Sequence, residues 1–308
     1  MDEQNDKPRW WEISVQVDGE AAEAVCELFN RYGQGGAVVE QVVGREDRES
    51  DETPTALTVV VKAYLPVTPQ GRESRRRLEE GLWHLSQLYP IPDPQIRELA
   101  QTDWATAWRE QFTTLHVGQR VVIKPTWLSY SPSPNEAVIE LDPGMAFGTG
   151  LHPTTRQCLL ALEEHLRPGM SVLDLGSGSG ILTIAAAKLG AGAVLALDTD
   201  PIAVEVARAN VRTNGVQQQV TIAQGSLSAA QGKFDLVLVN ILARVIIELV
   251  AQGLTNCLKP GGIIVTAGII EEQAADVEAA LCGQGVTIVE RQVERDWVSL
   301  IGQIGQKG

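Results

Sequence analysis

From Pro153 onward the hydrophobic pattern switches repeatedly between two periods. Thr154 to Leu166 carries apolar residues at helical spacing and stops at Pro168-Gly169. The unbroken apolar run Val172 to Leu175 reads as a buried strand, followed by a helix over 180–189, a strand over 193–197 and a helix over 201–213. Strands over 220–223 and 234–239, a helix over 244–258, a strand over 262–266 and a helix over 271–281 continue the series. The last two strands, 286–293 and 297–301, have no helix between them and are expected to pair antiparallel. Apolar strands alternating with helices predict an α/β fold with a doubly wound parallel sheet. Its ligand would sit at the carboxyl ends of the strands.

The first hundred residues follow another plan. Ile13, Val15 and Val17 share one face of a strand over 10–18, and Ala24, Val25, Leu28 and Phe29 mark a helix over 21–32. Strands over 37–43 and 57–64 follow, separated by a polar surface loop at 44–55. Leu78, Leu82, Leu85 and Leu88 stripe a helix within 69–89, and 96–100 reads as a fourth strand. The order β-α-β-β-α-β is the ferredoxin-like pattern, so a small α+β domain is expected over 1–100. A linker with a helix at Asp103 to Phe112 would span 101–125, and the doubly wound domain 126–308. Trp104, Trp108 and Phe112 share one face of that helix and are read as packing residues.

Composition narrows the partners. The formal charge is −14, with 11 Lys+Arg against 19 Asp+Glu in the first hundred residues and 14 against 20 in the rest. Such a chain is poorly suited to phosphate backbones, so no direct nucleic-acid binding is expected; a basic protein would suit it better. The N-terminus, Met1-Asp-Glu-Gln-Asn-Asp, lacks the pattern of a leader, and no apolar run is long enough to span a bilayer. A cytoplasmic monomer, off the membrane, is the expectation. Four scattered cysteines, without C-x-x-C spacing, read as reduced thiols with no metal.

The candidate chemistry gathers at strand ends. Ser171 to Ile184 reads S-V-L-D-L-G-S-G-S-G-I-L-T-I, a strand, a turn with Gly176, Gly178 and Gly180, and a helix start. Glycines admit a ligand close to the backbone, and the helix start offers free N–H groups. Ile181 stands where a dinucleotide fingerprint needs its third-spaced glycine. Asp174 is a carboxylate inside an apolar strand and needs partners, for which the N–H groups of the glycine turn are expected. Asp198, after the next strand, is placed to accept two ribose hydroxyls, whereas Asp200-Pro201 reads as a helix cap. Asn240 ends the strand F-D-L-V-L-V-N, where its amide could meet an incoming amine or cap the next helix. The loop D-P-G-M-A-F-G-T-G-L-H-P-T-T, with Phe147, Gly148 and Thr149, shapes the approach to a helix that Thr154 or Thr155 could cap. His152 in that loop is read as structural rather than as a general base.

Taken in order, L-D-P-G-M-A-F-G-T-G-x-H-P-T-T, V-L-D-L-G-S-G-S-G-I-L, A-L-D-T-D-P and V-N-I-L-A resemble the PrmA family. These are class I S-adenosylmethionine-dependent methyltransferases that modify the eleventh protein of the large ribosomal subunit. The resemblance covers residues 137 to 300 well and the N-terminal part in layout only. It implies a Rossmann-like domain and S-adenosyl-L-methionine as donor. It implies that Thr155, Gly176, Asp198 and Asn240 contact that donor, and the neighbouring Phe147, Gly148, Thr149, Asp174 and Gly178 are assigned to the same site. It further implies a substrate-reading N-terminal domain and methylation of an N-terminal α-amine and of lysines. Asn240 is the expected catalytic residue. The residues alone leave other readings open: a methyltransferase for nucleic acid or a small molecule, a nicotinamide dehydrogenase, or a binding protein without catalysis. Ile241 and Leu242 stand where amino-group enzymes for nucleobases and glutamine carry two prolines, and Ile181 disfavours the dehydrogenase.

Overall fold

A computed structural model describes residues 9–17, 19–33, 37–41, 59–87, 89–100, 113–142 and 152–305. The chain divides into two compact units, Met1–Phe112 with Pro143–Met145 and Thr113–Asp142 with Ala146–Gly308. The sequence-predicted loop at 44–55 and helix at 103–112 lie outside the described residues.

In the first unit, β1 (Arg9–Val17), α1 (Gly19–Tyr32), β2 (Val38–Gln41), β3 (Val59–Pro66), α2 (Pro69–Ser86) and β4 (Gln95–Ala100) follow one another. The four strands form one sheet in the order β2-β3-β1-β4, and every neighbouring pair is antiparallel. Alternation along β1 buries Ile13, Val15 and Val17 beneath Val25 and Phe29 of α1 and Leu78 and Leu82 of α2. Thr68 caps α2 by accepting the Gly71 N–H at 3.0 Å. Arg75, Arg76 and Arg77 then pair with Glu73, Glu79 and Glu80 one turn away on its outer face.

The second unit opens with a three-stranded sheet, β5 (Leu115–Val117), β6 (Val121–Lys124) and β7 (Ala137–Glu140). The helices α3 (Pro153–His165), α4 (Ile181–Lys188), α5 (Pro201–Thr213), α6 (Ala243–Ala251) and α7 (Glu271–Gly283) alternate with the strands of a larger sheet. Those strands are β8 (Ser171–Leu175), β9 (Ala193–Asp198), β10 (Val220–Gln224), β11 (Phe234–Asn240), β12 (Leu258–Ile270), β13 (Val286–Glu294) and β14 (Trp297–Ile304). Their order is β10-β9-β8-β11-β12-β14-β13, parallel from β10 to β12, with β14 antiparallel to both its neighbours. The strand order reverses between β8 and β11, and a crevice outside their carboxyl ends is where such sheets take ligands.

Helices on both faces explain the apolar strands. Val172, Leu236, Leu238 and Val265 face α3 and α4, while Leu173, Leu175, Val237 and Val239 face α6 and α7. Leu159 and Leu162 of α3 are fully buried, each stabilising by roughly 1.5–3 kcal/mol. The small sheet is tied to this layer. The Glu163 carboxylate accepts the N–H groups of Gln119 and Arg120 (2.9 and 3.2 Å), and Asn214 exchanges two hydrogen bonds with the Glu140 backbone (2.8 and 2.7 Å).

Two elements differ from the sequence pattern. The helix expected over 244–258 ends at Ala251, because Gly253 turns the chain at φ +98° and a short 3-10 turn carries Leu254–Cys257. The strand expected over 262–266 runs from Leu258 to Ile270, because Leu258 pairs with Phe234 of β11 and Ile269 and Ile270 pair with β14.

Candidate functional site

β8 ends at Leu175, and the chain turns through Gly176 to Gly180 into α4. This turn is stitched to the end of β9. The N–H groups of Gly176 and Ser177 donate to the Leu197 carbonyl at 2.8 and 3.2 Å, and the Gly178 N–H donates to Asp198 Oδ2 at 2.8 Å. Gly176 sits at φ +77°, and a Cβ there would stand 2.5 Å from Ile241 Cγ2, so backbone and space both demand glycine.

Asp198 closes β9. Its Oδ1 accepts the Asp200 N–H at 3.0 Å, so loop amides orient both oxygens and each keeps acceptor capacity toward the crevice. Asp200 does the structural job, accepting the Ile202 N–H at 2.8 Å as N-cap of α5, with Pro201 in the first turn.

The structure corrects the expected partners of Asp174. The amides of Gly176, Ser177 and Gly178 go to Leu197 and Asp198 instead, and that of Gly180 to the Ser177 carbonyl. Asp174 is fully buried and accepts the Thr183 hydroxyl at 2.6 Å from α4 above it. Burial pushes its carboxyl up to about 6; the Thr183 hydrogen bond opposes the rise and the nearby Asp198 charge adds to it. The same burial, with Asp174 close by, raises the Cys158 thiol of α3 and keeps it protonated.

Asn240 ends β11 beside Ala267 of β12 and is half-buried. Its side chain makes no hydrogen bond among the described residues. It does not cap α6, whose N-cap is Leu242. The amide is therefore open to an incoming group. Gly268 holds this end of β11 in place: at φ +81°, a Cβ on it would lie 2.4 Å from the Ile241 carbonyl oxygen. The register of β12 against β14 shifts between Thr266 and Ile269, which lets the glycine backbone pass so close. Asp235, at the opposite end of β11, belongs to another cluster. Its burial is outweighed by Lys259 at 2.7 Å and by Ser171, so its carboxyl lies below the usual range.

At the start of α3, His152 is the N-cap. Its Nδ1 meets Thr154 Oγ1 at 2.7 Å and accepts the Thr154 N–H at 3.3 Å, a structural role. Thr155 is left over: its Oγ1 is buried without a hydrogen-bond partner, and so is Ser177 Oγ in the glycine turn. Such orphans are costly unless a ligand completes them. Phe147, Gly148 and Thr149 lie outside the described residues.

A carboxylate with two oriented acceptors, two unmet hydroxyls, a glycine-rich turn and an open amide fit a nucleoside with a polar tail. Sequence reading missed Gly268 and the Ser177 hydroxyl, whose backbone angle and missing partner are visible only in three dimensions.

No helix among the described residues is long and apolar enough to cross a membrane. The model of the family described as ribosomal protein L11 methyltransferase (PrmA) matches residues 9–304. A protein of Chloroflexus aurantiacus named ribosomal protein L11 methyltransferase is 48% identical, over 95% of this chain and 97% of its own. A namesake from Herpetosiphon aurantiacus is 45% identical over 94% of this chain and 98% of its own. The crystal structure of a ribosomal protein L11 methylase from Lactobacillus delbrueckii subsp. bulgaricus superposes with a TM-score of 0.59 at 34% identity, covering 63% of this chain and all of that one. With a family match from Arg9 to Ile304 and relatives alike over nearly their whole length, this chain belongs to the ribosomal protein L11 methyltransferase (PrmA) family.

Proposed function

We propose that this protein transfers methyl groups from S-adenosylmethionine to amines of ribosomal protein L11, both the N-terminal α-amine and lysine side chains. The observations that support the reading are Asp198 oriented beside the glycine turn, the buried Thr155 and Ser177 hydroxyls without partners, and Asn240 at the carboxyl end of β11. Family membership supplies the reaction.

The donor, when bound, presents an electrophilic methyl group on a sulfonium. In this reading Asp198 accepts the ribose hydroxyls, and the bare backbone at Gly176 and Gly178 admits the nucleoside. Thr155 and Asp174 serve its amino-acid end, together with Phe147, Gly148 and Thr149. The Asn240 side-chain oxygen, with a neighbouring backbone carbonyl, orients the attacking nitrogen in line with the methyl group. That nitrogen must first lose its proton. An α-amine, with a pKa of about 8, is partly neutral near pH 7, whereas a lysine at about 10.4 depends on desolvation beside a positive sulfur. Positioning and desolvation then suffice without a strong base, and His152, engaged as a helix cap, is not needed as one.

The first unit is assigned to reading the protein substrate. Its strand order, β2-β3-β1-β4 with two helices, supports a ferredoxin-like domain over 1–100. A linker is expected over 101–125 from the sequence, but β5 and β6 share a sheet with β7 in the second unit, so the methyltransferase domain is assigned from Thr113 onward. A net charge of −14 suits a basic substrate, and a ribosomal substrate implies action in the cytoplasm. The test is to incubate the protein with labelled donor and a ribosomal extract, then identify labelled bands. Label on L11 supports the reading; label on RNA alone overturns it.

A further inference from the structure

The first turn of α3 is held from the far end of the chain. The hairpin of β13 and β14 turns through Arg295 and Asp296, and its tip reaches back to α3. The His152 ring packs edge-to-face on Trp297, with centroids 4.9 Å apart and planes at 70°. Gln157 Nε2 donates to the Trp297 carbonyl at 3.2 Å, and Arg156 pairs with Glu294 at 3.5 Å. The tip is itself anchored, because the Glu271 N–H at the start of α7 donates to the Asp296 carbonyl at 2.9 Å. Arg295 adopts φ +56°, and among the described residues no other non-glycine side chain is carried at positive φ. A two-residue turn normally gives that position to glycine. Strain is kept here in the segment that brings Trp297 onto α3.

Thr155 lies between these contacts, three residues after His152 and two before Gln157. Its hydroxyl is buried and has no hydrogen-bond partner. We propose that Trp297 is a positioning residue for donor binding: the hairpin tip fixes the first turn of α3 so that Thr155 meets the donor. This rests on the donor reading given above. The tip acts through His152 and the helix, without touching the reacting atoms. Loosening the turn costs about one well-formed hydrogen bond, roughly a five- to tenfold loss of donor affinity. A saturating donor restores the geometry, so the loss falls on KM for the donor more than on kcat.

The test is calorimetric titration of S-adenosylmethionine into the full-length protein and four variants. Trp297→Ala is expected to raise the donor Kd roughly five- to tenfold. Trp297→Phe, which keeps a ring for His152, is expected to recover most of the affinity. Val293→Ala, at an exposed position of β13, is expected to bind as the wild type does. Leu300→Ala, buried in β14 against α6 and α7, is expected to lower the melting temperature without weakening the donor. Wild-type affinity in folded Trp297→Ala overturns the proposal, as does equal weakening in Leu300→Ala. Should Trp297→Ala not fold, Trp297→Phe is compared with Trp297→Leu, and equal affinity of the two overturns it. A wild-type protein that fails to bind the donor overturns the donor reading itself, and this inference with it.

Discussion

Replacing Asp174 by asparagine should remove a pH dependence built into the fold. An unfolded aspartate titrates near 3.9, whereas burial in β8 lifts Asp174 to about 6. Between those values the folded protein holds a proton that the unfolded chain has released. The stability contributed is therefore full at low pH and lost as pH rises through about 6. The gap between the folded and unfolded values corresponds to about 3 kcal/mol lost in all. The sequence pI of about 4.8 makes acid solutions prone to precipitation, so pH 5.5 to 8 is the useful window. Within it roughly 1 kcal/mol of the loss remains to be seen. The amide introduced by Asp174→Asn would keep an acceptor for the Thr183 hydroxyl and carry no proton to lose. Urea unfolding of both proteins without donor, followed by tryptophan fluorescence, is the assay. The variant should gain on the wild type by roughly 1 kcal/mol between pH 5.5 and 8. Parallel pH profiles would refute the assignment of a desolvated, ionised carboxylate to this site.

Two further outcomes follow from the crevice. Asp198→Ala removes both oriented acceptors and should weaken donor binding by about 3 kcal/mol, roughly 100-fold, measured by calorimetry. Gly268→Ala places a Cβ against the Ile241 carbonyl at a backbone angle that side chains resist. It should cost roughly 3 kcal/mol of stability and slow methyl transfer by displacing the peptide after Asn240, read by melting temperature and single-turnover rates.

What the sequence could disclose was whatever its signals hold locally. Asp200-Pro201 declares a helix start by chemistry that acts within four residues, and Asp198 stands apart by position at a strand end. The antiparallel ending of the sheet was legible because no helix fits between 294 and 297. Readings failed where distant partners decide. Apolar Leu254 and Cys257 continue a helical period, yet Gly253 breaks the helix and both residues are buried beneath the sheet. β12 outgrows its pattern because β11 and β14 lend it partners at both ends. Asp174 looked like a client of the glycine turn next to it in sequence, but the amides of Gly176, Ser177 and Gly178 are taken up by β9 and Thr183 serves instead. The three-residue β5 is too short for any period to register, and the contact of Gln157 with Trp297 spans 140 residues. The residues assigned to the donor site stand out in the sequence by type and by position at strand ends. Its supports, Gly268 and Trp297, do not.

Asn240 is assigned to present an amine of ribosomal protein L11 to a methyl donor held at the glycine turn. The direct measurement is peptide mass spectrometry of purified L11 after incubation with donor and either wild-type protein or Asn240→Ala, at donor concentrations that saturate both. The expected result is whole methyl increments on the N-terminal amine and on lysines with the wild type. The variant should bind donor and give increments at least roughly 100-fold more slowly. Unmodified L11 with the wild type, or equal rates with the two proteins, would contradict that role of Asn240.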